Sequence, residues 1–182
     1  MMKKAIAAIG IFGVILTGVS CKKDKADPNE GELITTVKVK LTDKTSNIVT
    51  EYVFRDLDGE GGLAPSQFDQ IQLGKGKPYD CMLTILNESV SPADDITAEV
   101  LAEADDHEFY FTPTNGLASV SNLSKDSKGL PVGITSTWVA GANAGTGNIN
   151  ITLKHKPGSK AQGDPITKGE TDISLDFVLK VN

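Results

Sequence analysis

Strict alternation of apolar and polar residues is the feature that most constrains how this chain folds. In residues 33–41 the odd positions carry Leu, Thr and Val side chains, whereas the even positions include Lys38 and Lys40. Residues 171–181 alternate in the same way. A period of two residues is typical of a β-strand with one buried face and one face in water. Both segments are therefore predicted to be strands.

Further strands are predicted from the same pattern. Residues 48–55 alternate, and the polar segment 43–47 before them predicts an antiparallel hairpin with the first strand. Other short runs bounded by Gly, Pro, Asn or Asp are predicted strands at 70–73, 79–87, 107–112, 132–140 and 148–156. Many short strands separated by turn signals predict a mainly β domain, as an antiparallel β-sandwich or a barrel-like fold.

One segment, at residues 95–106, breaks the period of two. Its apolar residues recur at helical spacing: Ile96, Val100, Leu101 and Ala104. Asp95 precedes them and is suited to cap the free amides of a helix. The sequence therefore predicts a single short helix near residues 95–106, lying on the sheet with these four side chains on its buried stripe.

The N-terminal segment has the layout of a secretory signal that ends in a lipidated cysteine. Lys3 and Lys4 precede an apolar run that is too short for a stable membrane span, and small residues lead up to Cys21. This resembles the lipobox of bacterial lipoproteins, although Gly18 stands where that motif prefers leucine. We expect residues 1–20 to be a signal peptide, with acyl chains attached at Cys21. An ordinary secretory signal or an uncleaved anchor is the alternative.

The rest of the chain is predicted to be a short tether followed by one domain. Residues 21–31 are polar and unable to bury apolar surface, which is typical of a flexible linker. Residues 32–182 are enough for one β-sandwich domain with its own core. The net charge of −6, without a basic cluster, argues against nucleic acid as a partner. Cys81 is the only cysteine besides Cys21, and its strand position predicts buried packing.

Several short segments of the sequence together resemble those of a family of small bacterial lipoproteins often labelled "type 1 periplasmic binding fold superfamily protein". These segments are residues 32–37, 56–59, 86–89, 94–100, 103–110, 129–133, 153–157 and 170–173. The resemblance covers nearly the whole chain after Cys21 and implies no particular activity. A type 1 periplasmic binding fold has two doubly wound α/β lobes, which need repeated strand–helix units and a much longer chain. The alternation here predicts a β-sandwich instead.

An acidic loop follows the second predicted strand. Asp56, Asp58 and Glu60 occupy alternate positions among glycines, and their carboxylates are the hard oxygen ligands that Ca²⁺ prefers. The full EF-hand pattern, with its distal glutamate, is missing. The alternative is an exposed acidic turn, where Asp and Gly are favoured for their backbone conformations.

The chain has only two histidines, and each lies at the end of an apolar strand face. His107 shares its face with Phe109, and His155 shares its face with Leu153. If the two strands are neighbours, the rings meet near Glu103 or Asp106 and form a histidine–carboxylate site for zinc or another transition metal. The alternative is a pair of hydrogen-bonded histidines at the rim of the core.

No arrangement typical of an enzyme stands out. The sequence has no Gly-x-Ser-x-Gly elbow, no His-Glu-x-x-His helix and no phosphate loop. We therefore expect a non-enzymatic binding or structural module, held by its lipid anchor in the outer membrane and facing the periplasm or the cell surface. Its partner is a small molecule, a glycan or a protein. The alternatives are a metal-dependent enzyme built on His107 and His155, and a Ca²⁺-stabilised glycan-binding module. Trp138 could stack on a sugar, but a lone tryptophan in a sandwich is usually part of the core.

Overall fold

The structure is a computed structural model, and it describes residues 33–59, 61–114 and 116–182. The predicted signal peptide at 1–20 and the tether at 21–31, including Cys21, lie outside the described residues. Glu60 of the acidic loop also lies outside them.

The described residues form ten strands and one helix. Their bounds are β1 Thr36–Asp43, β2 Val49–Arg55, β3 Gln67–Phe68, β4 Ile71–Leu73, β5 Pro78–Leu86, α1 Ile96–Ala102, β6 His107–Pro113, β7 Ala118–Ser121, β8 Thr135–Ala140, β9 Gly145–His155 and β10 Glu170–Val181. Among these residues, no helix is long and apolar enough to cross a membrane.

The strands form two open sheets. The first has six strands in the order β3-β2-β1-β5-β8-β7, and the second has four in the order β4-β10-β9-β6. Neighbouring strands are antiparallel except β4 and β10, which are parallel. The prediction of a mainly β fold with one short helix is confirmed, and the sheets form a sandwich rather than a closed barrel. No doubly wound α/β lobe occurs among the described residues.

The first hairpin forms as predicted. β1 pairs with β2 in antiparallel register, with Val39 opposite Tyr52. At the turn, the carboxylate of Asp43 accepts a hydrogen bond of 2.8 Å from the amide of Thr45, and Asn47 adopts a positive φ of 58°. Asn tolerates this left-handed backbone conformation better than most residues, so the polar segment closes the hairpin.

The core lies between the two sheets and is built from the alternating positions. Its fully buried side chains include Val39, Leu83, Trp138, Ile149, Ile151, Leu153, Phe177 and Leu179. Trp138 donates a hydrogen bond of 2.9 Å from its indole nitrogen to the Ser136 hydroxyl. Trp138 is fully buried, so its favoured place in the core is confirmed and the alternative, stacking on a sugar, is excluded for this ring. Cys81 is also buried, as predicted.

The helix α1 begins after Asp95, whose carboxylate accepts a hydrogen bond from the amide of Ala98 at 3.2 Å. Thr97 is buried and bonds through its hydroxyl to both backbone groups of Ile85 in β5, which fixes the helix to the sheet. Leu101 is 52% exposed, so its predicted place on the buried stripe is wrong. The helix spans only seven residues, and Thr97 occupies the buried face together with Ile96 and Val100.

Candidate metal centre

The two histidines meet at one end of the four-stranded sheet. His107 begins β6, His155 ends β9, and the two residues are directly opposite each other in the antiparallel register. Their rings are stacked, with centroids 4.5 Å apart and an angle of 8° between the planes. His107 is buried and His155 is half-buried, so the pair is accessible from one side.

The backbone of Glu103 fixes the orientation of the His107 ring. The Nδ1 atom of His107 lies 3.1 Å from the carbonyl oxygen of Glu103. Since a carbonyl oxygen only accepts hydrogen bonds, Nδ1 carries the proton in this contact, and a neutral ring then has its lone pair on Nε2. Metal-binding histidines commonly donate their second ring N–H in this way.

The side chain of Glu103 completes a group of three potential ligands. Glu103 caps the C-terminal end of α1 and is exposed, whereas the histidines belong to the sheet. One ligand atom from each of Glu103, His107 and His155 lies within 4.8 Å of the others. The helix end and two neighbouring strands therefore converge on one place.

A fourth residue, Asp172, lies beside His107 because of a β-bulge, although it does not belong to the group of three whose ligand atoms lie within 4.8 Å of one another. In the ladder between β9 and β10 the register shifts between Thr171 and Ile173, so Asp172 has no partner residue in β9. A bulge re-aims the extra side chain. The Oδ2 atom of Asp172 lies 3.9 Å from Nε2 of His107 and accepts no hydrogen bond from any described residue, although it is buried.

The charge state of Asp172 is sensitive to its surroundings. Burial raises the pKa of this carboxyl above its usual range, while His107 and His155 act in the opposite direction by favouring the anion. A buried carboxylate beside an imidazole lone pair is unfavourable unless a cation or a proton lies between them. Either a proton or a bound cation between the two groups would therefore satisfy the Asp172 carboxylate.

The separations known for these groups, 3.9 Å between Asp172 and His107 and up to 4.8 Å among the other three, are longer than those of a formed tetrahedral zinc site. Ligand atoms at about 2.0–2.2 Å from a tetrahedral ion lie about 3.4 Å from each other. The separation of 3.9 Å between Asp172 and His107 is therefore about 0.5 Å too long. Because the lone pairs of stacked imidazoles lie in parallel planes and do not converge on one point, a rotation of the half-buried His155 ring is also required.

Asp106, the other carboxylate that the sequence placed near the histidines, has a different role. Its side chain accepts a hydrogen bond of 2.9 Å from the amide of Gly158, and its carbonyl accepts one of 2.7 Å from the amide of Lys156. Both contacts join the start of β6 to the segment after β9. Asp106 thus fixes the strand ends that carry the histidines.

The acidic loop is separate from this centre. Asp56 is buried, and its Oδ1 atom has no hydrogen-bond partner in the described part of the chain. Asp58 accepts a hydrogen bond of 2.8 Å from the amide of Leu63, which lowers the pKa of Asp58, and a side-chain contact with Asp56 acts in the same direction. These contacts are those of a turn. Since Glu60 lies outside the described residues, Ca²⁺ binding by the three acids stays a prediction.

Comparisons with protein-family models, with curated proteins and with solved structures find no match to this chain. The fold and the site are therefore the only basis for assigning a class. They define a β-sandwich with a cluster of two histidines and two carboxylates at one end of its smaller sheet.

Proposed function

We propose that this protein is a lipid-anchored β-sandwich that binds one divalent transition-metal ion through His107, His155, Glu103 and Asp172. The observation that carries the proposal is the buried Oδ2 atom of the half-buried Asp172, which faces the His107 imidazole without a hydrogen-bond partner among the described residues. In this role the protein is a binding module, in agreement with the absence of a catalytic motif in the sequence.

The chemistry of the four ligands selects the class of metal. Two imidazole nitrogens and two carboxylate oxygens suit Zn²⁺, Ni²⁺ and Cu²⁺ better than Ca²⁺ or Mg²⁺, which prefer oxygen ligands alone. Four protein ligands are typical of a closed, tetrahedral zinc site. Glu103 is exposed and His155 is half-buried, so the ion enters from their side, while His107 is buried and Asp172 is half-buried.

The metal proposal is tested by titrating the metal-free protein with Co²⁺ and Zn²⁺. A tetrahedral Co²⁺ site gives a strong visible absorption band, and Zn²⁺ abolishes the band by displacing the cobalt. We expect one ion per chain. His155→Ala should remove the band. Asp172→Asn should weaken Zn²⁺ binding by at least about 10–100-fold, the range seen when a group that only supports the ligands is removed, because Asp172 is proposed as a direct ligand.

Asp176→Asn is the matched control, because Asp176 lies on the same strand, is exposed and contacts Asn150 instead of the histidines. It should bind Zn²⁺ like the unmodified protein. Equal affinities for the Asp172 and Asp176 variants, or an octahedral cobalt spectrum throughout the titration, would contradict the proposed centre.

The anchor is tested independently of the metal. The layout of residues 1–21 supports lipidation at Cys21, and the resemblance to small bacterial lipoproteins supports it as well. We expect mass spectrometry of the mature protein to find an N-terminal acylated Cys21, and globomycin to change its electrophoretic mobility. Cys21→Ser should abolish both results. An unmodified cysteine at this position would refute the anchor and leave the metal centre unaffected.

A further inference from the structure

Asp56 is a buried carboxylate that lies apart from the histidine centre and has no ion-pair partner among the described residues. It follows β2 directly and is only 8% exposed, and its Oδ1 atom accepts no hydrogen bond from these residues. None of their ion pairs includes Asp56, and the adjacent Arg55 donates to Glu88 at 2.6 Å instead. A buried carboxylate is costly unless a cation or a proton compensates its charge.

The sheet fixes Asp56 in this position. The amide of Asp56 donates a hydrogen bond of 2.8 Å to the carbonyl of Thr35, which continues the pairing of β2 with β1 by one residue. Asp56 also continues the alternation of β2, in which Phe54 is buried in the core. Because side chains two residues apart on a strand point to the same face, the Asp56 side chain is directed inward.

The loop after β2 brings a second carboxylate to Asp56. The side chains of Asp56 and Asp58 are in contact, and the amide of Leu63 holds Oδ2 of Asp58 at 2.8 Å. The Asp58 carboxylate occupies the space that a side chain at Gly62 would fill, since a Cβ there would lie 2.7 Å from Cγ of Asp58. The loop is therefore closed around two acids that repel each other when both are charged.

A divalent cation compensates this pair of acids better than a proton does. One proton shared by two carboxylates leaves one negative charge, whereas a divalent ion neutralises both. The loop at residues 56–63 has no His or Cys, so it offers only oxygen ligands, which select Ca²⁺ or Mg²⁺ over transition metals. Ca²⁺ accepts irregular sets of about six to eight oxygens, whereas Mg²⁺ demands a near-ideal octahedron. An irregular loop of this kind therefore suits Ca²⁺.

From this arrangement we infer that Asp56 and Asp58 bind one Ca²⁺ ion, in a site separate from the histidine centre. Glu60, which lies outside the described residues, is a third acid of the same loop. With two or three acids the Kd should be about 10⁻⁴–10⁻³ M, the range of extracellular Ca²⁺ modules. The inference does not depend on the proposed transition-metal function, because the loop contains none of the four ligands of that centre.

The inference is tested by calorimetric titration of the metal-free protein with CaCl₂. We expect one Ca²⁺ ion per chain, an increase of Tm in excess Ca²⁺ and weaker binding of Mg²⁺. The same titration of His155→Ala should give the same Kd, so a failure of the histidine centre leaves this result unchanged. If the unmodified protein binds no Ca²⁺, the two carboxylates share a proton instead and the inference is wrong.

Two variants locate the ion. Asp56→Asn removes a ligand, and Gly62→Ala keeps every carboxylate but displaces that of Asp58. Each should weaken Ca²⁺ binding by at least about tenfold. Asp94→Asn is the matched control, because Asp94 is an exposed aspartate in another loop, and it should bind Ca²⁺ like the unmodified protein. Equal affinities for Asp56→Asn and Asp94→Asn would show that Ca²⁺ binds elsewhere and would overturn the site.

The stability of Asp56→Asn separates ion binding from a merely structural role. Without Ca²⁺ this variant should be at least as stable as the unmodified protein, because it removes a buried charge that has no partner. In excess Ca²⁺ the order should reverse, because only the unmodified protein gains stability from the ion. A loss of stability that is the same with and without Ca²⁺ would mean that Asp56 is needed for the fold alone, against the inference.

Discussion

The ion pair between Lys156 and Glu108 should contribute far more to the free energy of unfolding than an exposed ion pair of similar length. The side chain of Lys156 is 0% exposed and that of Glu108 is 7% exposed, with 2.5 Å between Nζ and Oε2. In Lys156→Met the apolar stem is retained, but the buried carboxylate loses its cation. Tyr110 remains as a donor to Glu108, and one neutral hydroxyl does not replace an ammonium group.

The magnitude follows from the burial of both partners. Removing one member of a buried pair leaves an uncompensated charge and costs about 3–5 kcal/mol, so Lys156→Met should lower the free energy of unfolding by that amount. For a domain of this size this corresponds to a fall in Tm of about 6–20 °C. The double variant Glu108→Leu with Lys156→Met removes both charges and should be within about 1 kcal/mol of the unmodified protein.

Urea unfolding, followed by the fluorescence of Trp138, measures these differences. The matched control is Lys44→Met, because Lys44 and Asp80 form an ion pair of 2.7 Å whose side chains are 43% and 58% exposed. Breaking that pair should cost less than about 1 kcal/mol. The reasoning would be refuted if Lys156→Met and Lys44→Met lost equal stability. It would also be refuted if the double variant lost as much stability as Glu108→Leu and Lys156→Met lose singly when the two losses are added.

Three further predictions concern other parts of the fold. Burial raises the pKa of the Cys81 thiol to about 12, so a disulfide reagent at neutral pH should modify Cys81 only after unfolding. Burial alone would raise the pKa of Asp126, but the ammonium of Lys160 and the backbone amides of Leu130 and Lys128 together outweigh it and lower this pKa. The stabilisation by Asp126 is therefore complete above about pH 4 and lost at lower pH, so Asp126→Asn should be less stable than the unmodified protein at neutral pH and similar to it at about pH 2 in urea titrations. Asp95→Ala removes the N-cap of α1 and should cost about 0.5–2 kcal/mol in the same assay, whereas no loss would show that the cap is not needed.

The long strands were predictable because each has one buried face. β10 shows this clearly, since Leu175, Phe177, Leu179 and Val181 are buried and the residues between them are exposed. The short edge strands β3 and β7 were missed, because two to four residues are too few to establish a period. β3 pairs with β2 where Phe68 contacts the rings of Phe54 and Phe177, which are far apart in sequence.

The candidate metal centre was predictable only in part. The alternation of apolar and polar residues placed His107 and His155 at the ends of apolar strand faces. The two histidines meet only because β6 and β9 are neighbours, and alternation within a strand does not determine which strands are neighbours. Asp172 was assigned to the polar face of its strand, and nothing local indicates the bulge that re-aims it. Likewise, nothing in the alternation of β6 and β9 indicates that Glu108 and Lys156 become buried on the outer face of the sheet.

The place of β1 in the larger sheet has a mechanical consequence. β1 follows directly after residue 35 and lies between β2 and β5, paired with both along its length. Because antiparallel hydrogen bonds run perpendicular to the strands, a pull on the chain before β1 acts along the strand and loads both ladders in shear. Many bonds then resist the force together, whereas an edge strand pulled sideways would open one bond at a time. If the domain is anchored through its N-terminus, as proposed, the force acts on one of the strands that are hardest to extract.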